Sequence, residues 1–265
     1  MNTIMFLESK IVDHMEIVKK YVESLTGVVD DFWEEHILKG KFYLLMDGER
    51  EEGFFTIYEE GDKKKYITSF YIEAASLKWG NEIFEDILTK FQIEKAYVAT
   101  CDERFLSLCL DFHKQIELQA YFFDGTIQHD AREAEFGMEC MKKVSVEEMP
   151  EIRNLTGDFY NDFTDEDIVT GKCELYRILH NNETLGVGVM VPNKLKTGYT
   201  ACGEIVPEQH RRKGVARSLQ LNMAQICRSK GEIPIGGCWY QNTISYKTFY
   251  SCGRYSSTRL LNVTF

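Results

Sequence analysis

Proline is scarce in this chain, four in 265 residues, so its turns have to be made mostly by the nineteen glycines and by asparagine and aspartate. No apolar run reaches the roughly 18 residues that a membrane-crossing helix needs. Glu8 and Lys10 break up the N-terminal stretch before any signal-type apolar segment forms. The eight cysteines include no Cys-x-x-Cys pair, and the six histidines show no metal-ligand spacing. The thiols therefore read as reduced and cytoplasmic, with no metal expected. Positive charge is in deficit too: a net charge of −11 argues against a nucleic-acid partner, whose phosphates demand a basic face. It suits a cationic small molecule, although an acidic surface also serves solubility.

What the chain does have is length and periodicity. With 44% hydrophobic and 28% charged residues it has the composition of a soluble globular protein, long enough for two domains of about 130 residues each. In the first half, Ile11, Met15, Val18, Val22 and Leu25 form one helical stripe. Three strands follow at Phe42–Met46, Phe54–Tyr58 and Tyr66–Ile72, joined by turns at Asp47-Gly48 and Glu59–Lys65. An amphipathic helix after Gly80 carrying Ile83, Phe84, Ile87, Leu88 and Phe91, a strand at Ala96–Thr100, a helix near Phe105–Phe112 and a strand near Leu118–Phe123 complete the half.

The second half repeats the order. A strand at Met141–Val144 and an acidic helical stretch precede strands at Glu174–Leu179, Leu185–Val191 and Tyr199–Val206. A helix carries Val215, Leu219, Met223, Ile226 and Cys227 toward a cap at Gly231. A strand at Pro234–Trp239, a helix from Asn242 to Cys252 and the strand-like Ser256–Phe265 follow. Ile72 and Val206 each end a strand, and each is followed eight residues later by a glycine, Gly80 or Gly214. We therefore expect an α/β protein with mixed (α+β) sheets, made of two copies of one unit at residues 1–130 and 131–265 and joined through Gly125–Cys140.

The segment Glu204 to Ala216 carries the chemistry. A strand ends, a polar loop turns, and a helix starts at a glycine with small neighbours. Free N–H groups and the helix dipole make such a start an anion site. Arg211, Arg212 and Lys213 place three consecutive cations there, Gly214 lets a phosphate approach, and Ala216 keeps the next turn small. The corresponding loop of the first half, Leu77-Lys78-Trp79-Gly80-Asn81-Glu82, has leucine for the arginine and an acid in the helix start.

This pattern resembles the GNAT (Gcn5-related N-acetyltransferase) superfamily, whose signature is Arg/Gln-x-x-Gly-x-Gly/Ala after its fourth strand. A second family element, an Asn opening a later helix, a small residue three on and Gly-aromatic eleven on, is met by Asn242, Ser245 and Gly253, with Arg254 pushing the aromatic to Tyr255. The resemblance covers residues 140–265 well and the first half in outline, and it looks like the tandem, zwittermicin-resistance-type subgroup. It implies two GNAT-like units, the N-terminal one degenerate, and acetyl-CoA held by Ile205, Val206, Arg211, Arg212, Lys213, Gly214, Val215, Ala216 and Asn242. Valine and proline are adjacent here at Val206-Pro207, where the family has Val-x-Pro. The resemblance implies an N-acyltransferase that moves an acetyl or short acyl group to a small, cationic amine by direct attack. The alternative is a non-catalytic acyl-CoA-binding or scaffolding module. Glu204 is the carboxylate available as general base, although a solvated strand glutamate is the other reading. A backbone N–H near Val206 is the expected oxyanion donor. The family's acid tyrosine is replaced by Phe249, with Tyr246 and Tyr250 read as packing. The carboxylates of Asp158–Asp167 are either an acceptor rim or a helix-capping run. No partner is expected beyond the amine, in a monomer or homodimer, with no membrane.

Overall fold

The computed structural model describes residues 4–61, 64–126 and 130–265. Residues 62–63 of the expected Glu59–Lys65 turn, and 127–129 of the expected join, lie outside the described residues. The chain divides into two compact units, one of residues 1–121 with 257–265, the other of residues 122–256.

The first unit runs β1 (Met5–Ser9), α1 (Met15–Ser24), α2 (Asp31–Leu38), β2 (Lys41–Asp47), β3 (Arg50–Glu60), β4 (Lys64–Ile72), α3 (Gly80–Phe91), β5 (Lys95–Ala99), α4 (Glu103–Phe112) and β6 (Gln115–Phe123). Phe122 and Phe123 already belong to the second unit. The second unit repeats the order as β7 (Met141–Lys143), α5 (Met149–Thr156), α6 (Asp165–Val169), β8 (Glu174–His180), β9 (Glu183–Pro192), β10 (Tyr199–Ile205), α7 (Val215–Ser229), β11 (Ile233–Trp239) and α8 (Thr243–Ser251), and the chain continues into β12 (Thr258–Thr264). The recurrence of Ile72 and Val206 thus marks a true structural repeat.

In the first unit the strand order is β1-β2-β3-β4-β5-β12. β4 and β5 are parallel, and β12 lies antiparallel on β5, with Leu260 opposite Ala99 and Thr264 opposite Lys95. Leu261 and Val263 of β12 enter the core that α3 and α4 form with the sheet, among Phe70, Phe84, Ile87 and Phe105. A division at 130/131 follows chain order, whereas β12 returns to the first unit. Nothing in its apolar pattern distinguishes that destination from the second.

In the second unit the order is β7-β8-β9-β10-β11. One face of the sheet packs on α7 through Cys202, Val215, Leu219, Met223 and Cys227. The other packs on α5 and its surroundings through Met149, Ile152, Tyr160, Leu175, Val187 and Val189. On β9, a Cβ at Gly188 would stand 2.6 Å from Met223 Sδ. The glycine is therefore what lets α7 lie close on the sheet. α7 ends as the sequence suggested: Gly231 takes a left-handed φ of 76°, and the N–H of Glu232 bonds Cys227 O at 3.0 Å.

Candidate active site

β10 and β11 pair in parallel only from Tyr199 with Ile233 to Ala201 with Ile235. Beyond that point they are unpaired, while the opposite edge of β10 stays laddered to β9 as far as Ile205 with Val187. Strand period places Cys202, Glu204 and Val206 on the α7 face and Ile205 on the other. This agrees with their packing, Cys202 and Val206 against α7 and Ile205 against Val187.

Glu204 is half-buried at this unpaired stretch. Its Oε2 accepts a hydrogen bond from Gln220 Nε2 of α7. Burial pushes its pKa from the ordinary carboxylate range up to about 7, against the opposing pull of the Gln220 hydrogen bond and of Arg254. Gln220 is fully buried, and its Nε2 also donates to Cys202 O at 3.0 Å. Its Oε1 accepts from Arg254 Nη1 at 2.9 Å.

Arg254 is 1% exposed, and a helix ending puts it there. Gly253, at φ 69°, follows α8 in the left-handed region. The N–H of Gly253 bonds Tyr250 O at 2.9 Å and that of Arg254 bonds Phe249 O at 3.0 Å. This is the Schellman pattern, in which the second residue past the cap packs back on the last turn. The guanidinium makes that contact here, 5.0 Å from the Phe249 ring centroid.

Phe249 itself is core. It stacks on Phe123 with centroids 4.2 Å apart, and its Cζ lies 2.7 Å from where a Gly236 Cβ would stand. Tyr246 and Tyr250 lie against one another with centroids 4.3 Å apart and rings tilted by 34°, but both are at least partly exposed, so the sequence reading of them as packing fits only in part.

At the cradle, Arg211, Arg212 and Lys213 are exposed, and Arg211 Nε donates to Val206 O at 3.1 Å, closing the loop. Arg212 has φ 63° and Gly214 φ 77°. Gly214 is the N-cap of α7, no side chain caps that helix start, and no acid stands in its first turn. Free N–H groups beside three cations fit a pyrophosphate. Gly214 meets a second demand as well. The space of its missing side chain is filled by Glu135, which any Cβ there would strike. Glu135 belongs to a strap clamped along α7. Arg217 Nη2 donates to Glu135 Oε1 at 2.7 Å and its Nε to Glu133 O at 2.9 Å. Phe136 N–H donates to Ser218 Oγ at 3.0 Å, and Asn222 Nδ2 to Phe136 O at 2.9 Å.

The first unit shows the contrast. Gly80 sits in right-handed helix at φ −54°, continuous with a 3₁₀ turn over Ala74–Trp79, and its N–H bonds Leu77 O. Its Cβ space is open, the nearest atom being Leu108 Cδ2 at 3.8 Å. Among the described residues that unit has no counterpart of the 211–214 loop.

Among the remaining candidates, Asn242 caps α8 by accepting from Ser245 N–H at 3.1 Å. The run Asp158–Asp167 is partly used up in folding: Thr164 and Asp167 form a capping box, while Asp165 pairs with Arg153 and Asp167 with Lys172. A cleft of about 740 Å³ lies between residues 151–157, 182–184 and 205–211, so that Ile205 and Val206 of the cradle border it. Its acids are Glu151, Glu183 and Glu208, and Arg211 lines the same cleft. Gln220, Arg254 and Glu135 were missed in the sequence. Their only signals were a glutamine beside the apolar stripe of α7 and an arginine where the family has an aromatic.

Residues 10–126 match the family model described as an acetyltransferase (GNAT) domain. That is the half whose loop departs from the cradle. No curated protein sequence is significantly similar to the chain. Among solved structures, an acetyltransferase of the GNAT family from Colwellia psychrerythraea aligns over 99% of both chains at 18% identity, with a TM-score of 0.86. A tandem GNAT protein from the clavulanic acid biosynthesis pathway aligns over 99% of this chain and 98% of its own at 11% identity and a TM-score of 0.63. A GCN5-related N-acetyltransferase from Sphaerobacter thermophilus aligns over 98% and 95% at 12% identity and 0.60. Residues 10–126 thus match a GNAT acetyltransferase domain, and the chain along its whole length shares its fold with GNAT proteins, a tandem one among them.

Proposed function

We propose that the second unit transfers an acetyl or short acyl group from CoA to the amine of a small cationic acceptor. The observation that carries this reading is the conjunction in one unit of an uncapped helix start flanked by three cations and a half-buried carboxyl at the unpaired edge of β10. Acetyl-CoA, when bound, supplies the acyl group as a thioester. The residues to hold its diphosphate are Arg211, Arg212 and Lys213 with the N–H groups from Gly214 to Ala216, and Ile205 and Val206 offer backbone groups beside them.

Glu204 is placed to take the proton from an ammonium, freeing the nitrogen lone pair to form the new C–N bond while the C–S bond breaks. A group titrating near 7 holds and releases a proton at neutral pH, which is what general-base work requires. The departing thiolate resembles a cysteine thiolate, with a pKa of about 8.5, and can take its proton from water, so Phe249 at the family's tyrosine place is no obstacle. The cleft's carboxylates, Glu208 together with Glu183 beside His210 and Glu151 paired with Arg177, favour a cationic acceptor by an attraction that salt screens.

The test is thiol release from acetyl-CoA with a panel of amines, at low and high salt. Turnover with cationic amines, lost in Glu204→Gln with acetyl-CoA binding intact, supports the reading. Binding without turnover of any amine would favour a non-catalytic acyl-CoA module. A best acceptor that is acidic would show the cleft's carboxylates to be mere surface charge.

A further inference from the structure

We propose that Arg254 and Gln220 are a positioning pair for Glu204: the buried guanidinium fixes which way the Gln220 amide faces, and that amide holds one carboxylate oxygen so that the other is left for the incoming amine. The proposal deepens, and rests on, the reading of Glu204 as the base.

The chemistry of the donors forces the arrangement. A guanidinium has five N–H donors and no acceptor. The Gln220 atom that meets Arg254 Nη1 at 2.9 Å must therefore be its carbonyl oxygen. The NH₂ end is then turned to the opposite side, where its two hydrogens go to Cys202 O at 3.0 Å and to Glu204 Oε2. A flipped amide would set N–H against N–H at one end and oxygen against two oxygens at the other. Gln220 thus presents a donor to Glu204, which favours the carboxylate form.

Arg254 is held as tightly as it holds. Its Nε donates to Asp124 O at 2.9 Å, and its Nη2 to Pro234 O at 3.3 Å and Phe123 O at 3.4 Å. Among the described residues no carboxylate touches the guanidinium, and the carboxylates whose charge it feels are those of Glu204 and Asp124. A buried cation paired only with carbonyl oxygens is costly unless a negative charge lies nearby, and Glu204 lies one amide away. Glu204 Oε1 accepts no hydrogen bond among the described residues. The other titratable groups facing Glu204 are Cys202 on β10, Cys252 after α8, and Tyr160 beyond α5. All three are pushed up from their ordinary values, Cys252 to about 12, and stay neutral across the working range.

The experiment measures kcat/KM against pH for the full chain with one accepted amine, alongside the ¹³C titration of the Glu204 side-chain carboxyl, identified by its loss in Glu204→Gln. Gln220→Glu keeps the size and Arg254's acceptor but turns an oxygen toward Glu204. The expected result is an acid limb displaced upward by about one pH unit or more, a loss of about fivefold or more near pH 7 that narrows toward pH 9, and acetyl-CoA affinity within about twofold of wild type. Gln220→Leu, which removes the donor, should displace the carboxyl titration in the same direction should Gln220→Glu fail to fold. Arg254→Lys, which keeps charge but not the fork, should displace it less. A limb and a carboxyl titration unmoved in both Gln220 variants would overturn the proposal, as would a loss equal at every pH. The two readings fail separately: normal turnover by Glu204→Gln removes the base role, while the carboxyl titration still decides whether Arg254 and Gln220 govern Glu204.

Discussion

Glu204→Gln makes the protein more stable, and only above a definite pH. In the unfolded chain this carboxyl titrates near 4.5, in the folded protein near 7. Below about pH 4.5 it is neutral in both states and adds no difference. Between 4.5 and 7 the unfolded state releases its proton while the folded state retains it, so stability falls as pH rises. Above 7 the full cost of holding a half-buried carboxylate is present. At 1.36 kcal/mol per pH unit, that cost is about 2–3 kcal/mol once partial solvent access is allowed for. Glutamine has the same shape and still offers an oxygen to Gln220 Nε2, so the variant lacks the cost and loses little contact. Urea unfolding of both proteins at pH 4 and pH 8.5 gives the difference directly. Asp102 also titrates upward, at about 6, but it is common to both proteins and cancels. Equal stability differences at the two pH values would show that Glu204 ionises like a surface glutamate, and the argument for it as a base would go with it.

Glu135→Gln should tighten acetyl-CoA binding by about two- to fivefold at low salt, the size expected for one exposed charge beside a phosphate; calorimetric titration showing no change would mean the strap stands clear of the ligand. Gly80→Ala should be neutral or stabilise by up to about 1 kcal/mol, since the position is right-handed helix with open space. Gly214→Ala should cost more than 1 kcal/mol from its left-handed backbone and the contact with Glu135, and equal effects of the two on thermal unfolding would refute the asymmetry between the units. Phe249→Ala should cost about 3–5 kcal/mol as a buried ring lost from the core, measured by denaturant unfolding; a cost under 1 kcal/mol would deny it that role.

Much of the fold could be read because alternation and helical stripes come directly from burial on one face. The meander β2–β4 and the helices α3 and α7 fall where those patterns place them. β1 escaped because Met5 and Leu7 are apolar yet exposed, so its pattern does not alternate. α2 escaped because its short buried face includes Glu34 beside Trp33 and Ile37. The cradle and Glu204 were visible as local strings of residues. Arg254 and Gln220 were not, because an arginine or a glutamine is read as surface until a tertiary partner is known. Glu135 is the sharper case. A glycine at a helix start suggests ligand approach, and nothing local reveals that its side-chain space is also taken by a segment some eighty residues earlier.

The destination of β12 has a consequence for how the chain acquires its structure during synthesis. The first unit's residues up to 121 emerge long before 258–264, yet the sheet edge at Val98 and Ala99 is paired only by Leu261 and Leu260. Until then that edge offers unpaired N–H and C=O groups over apolar neighbours, the situation in which a strand recruits the wrong partner. Closing a loop of this length also costs entropy that local contacts do not, which slows the step. The first unit is therefore the earlier one to be made and the later one to be finished, and a chain cut after residue 256 would lose stability in the half farthest from the cut along the sequence.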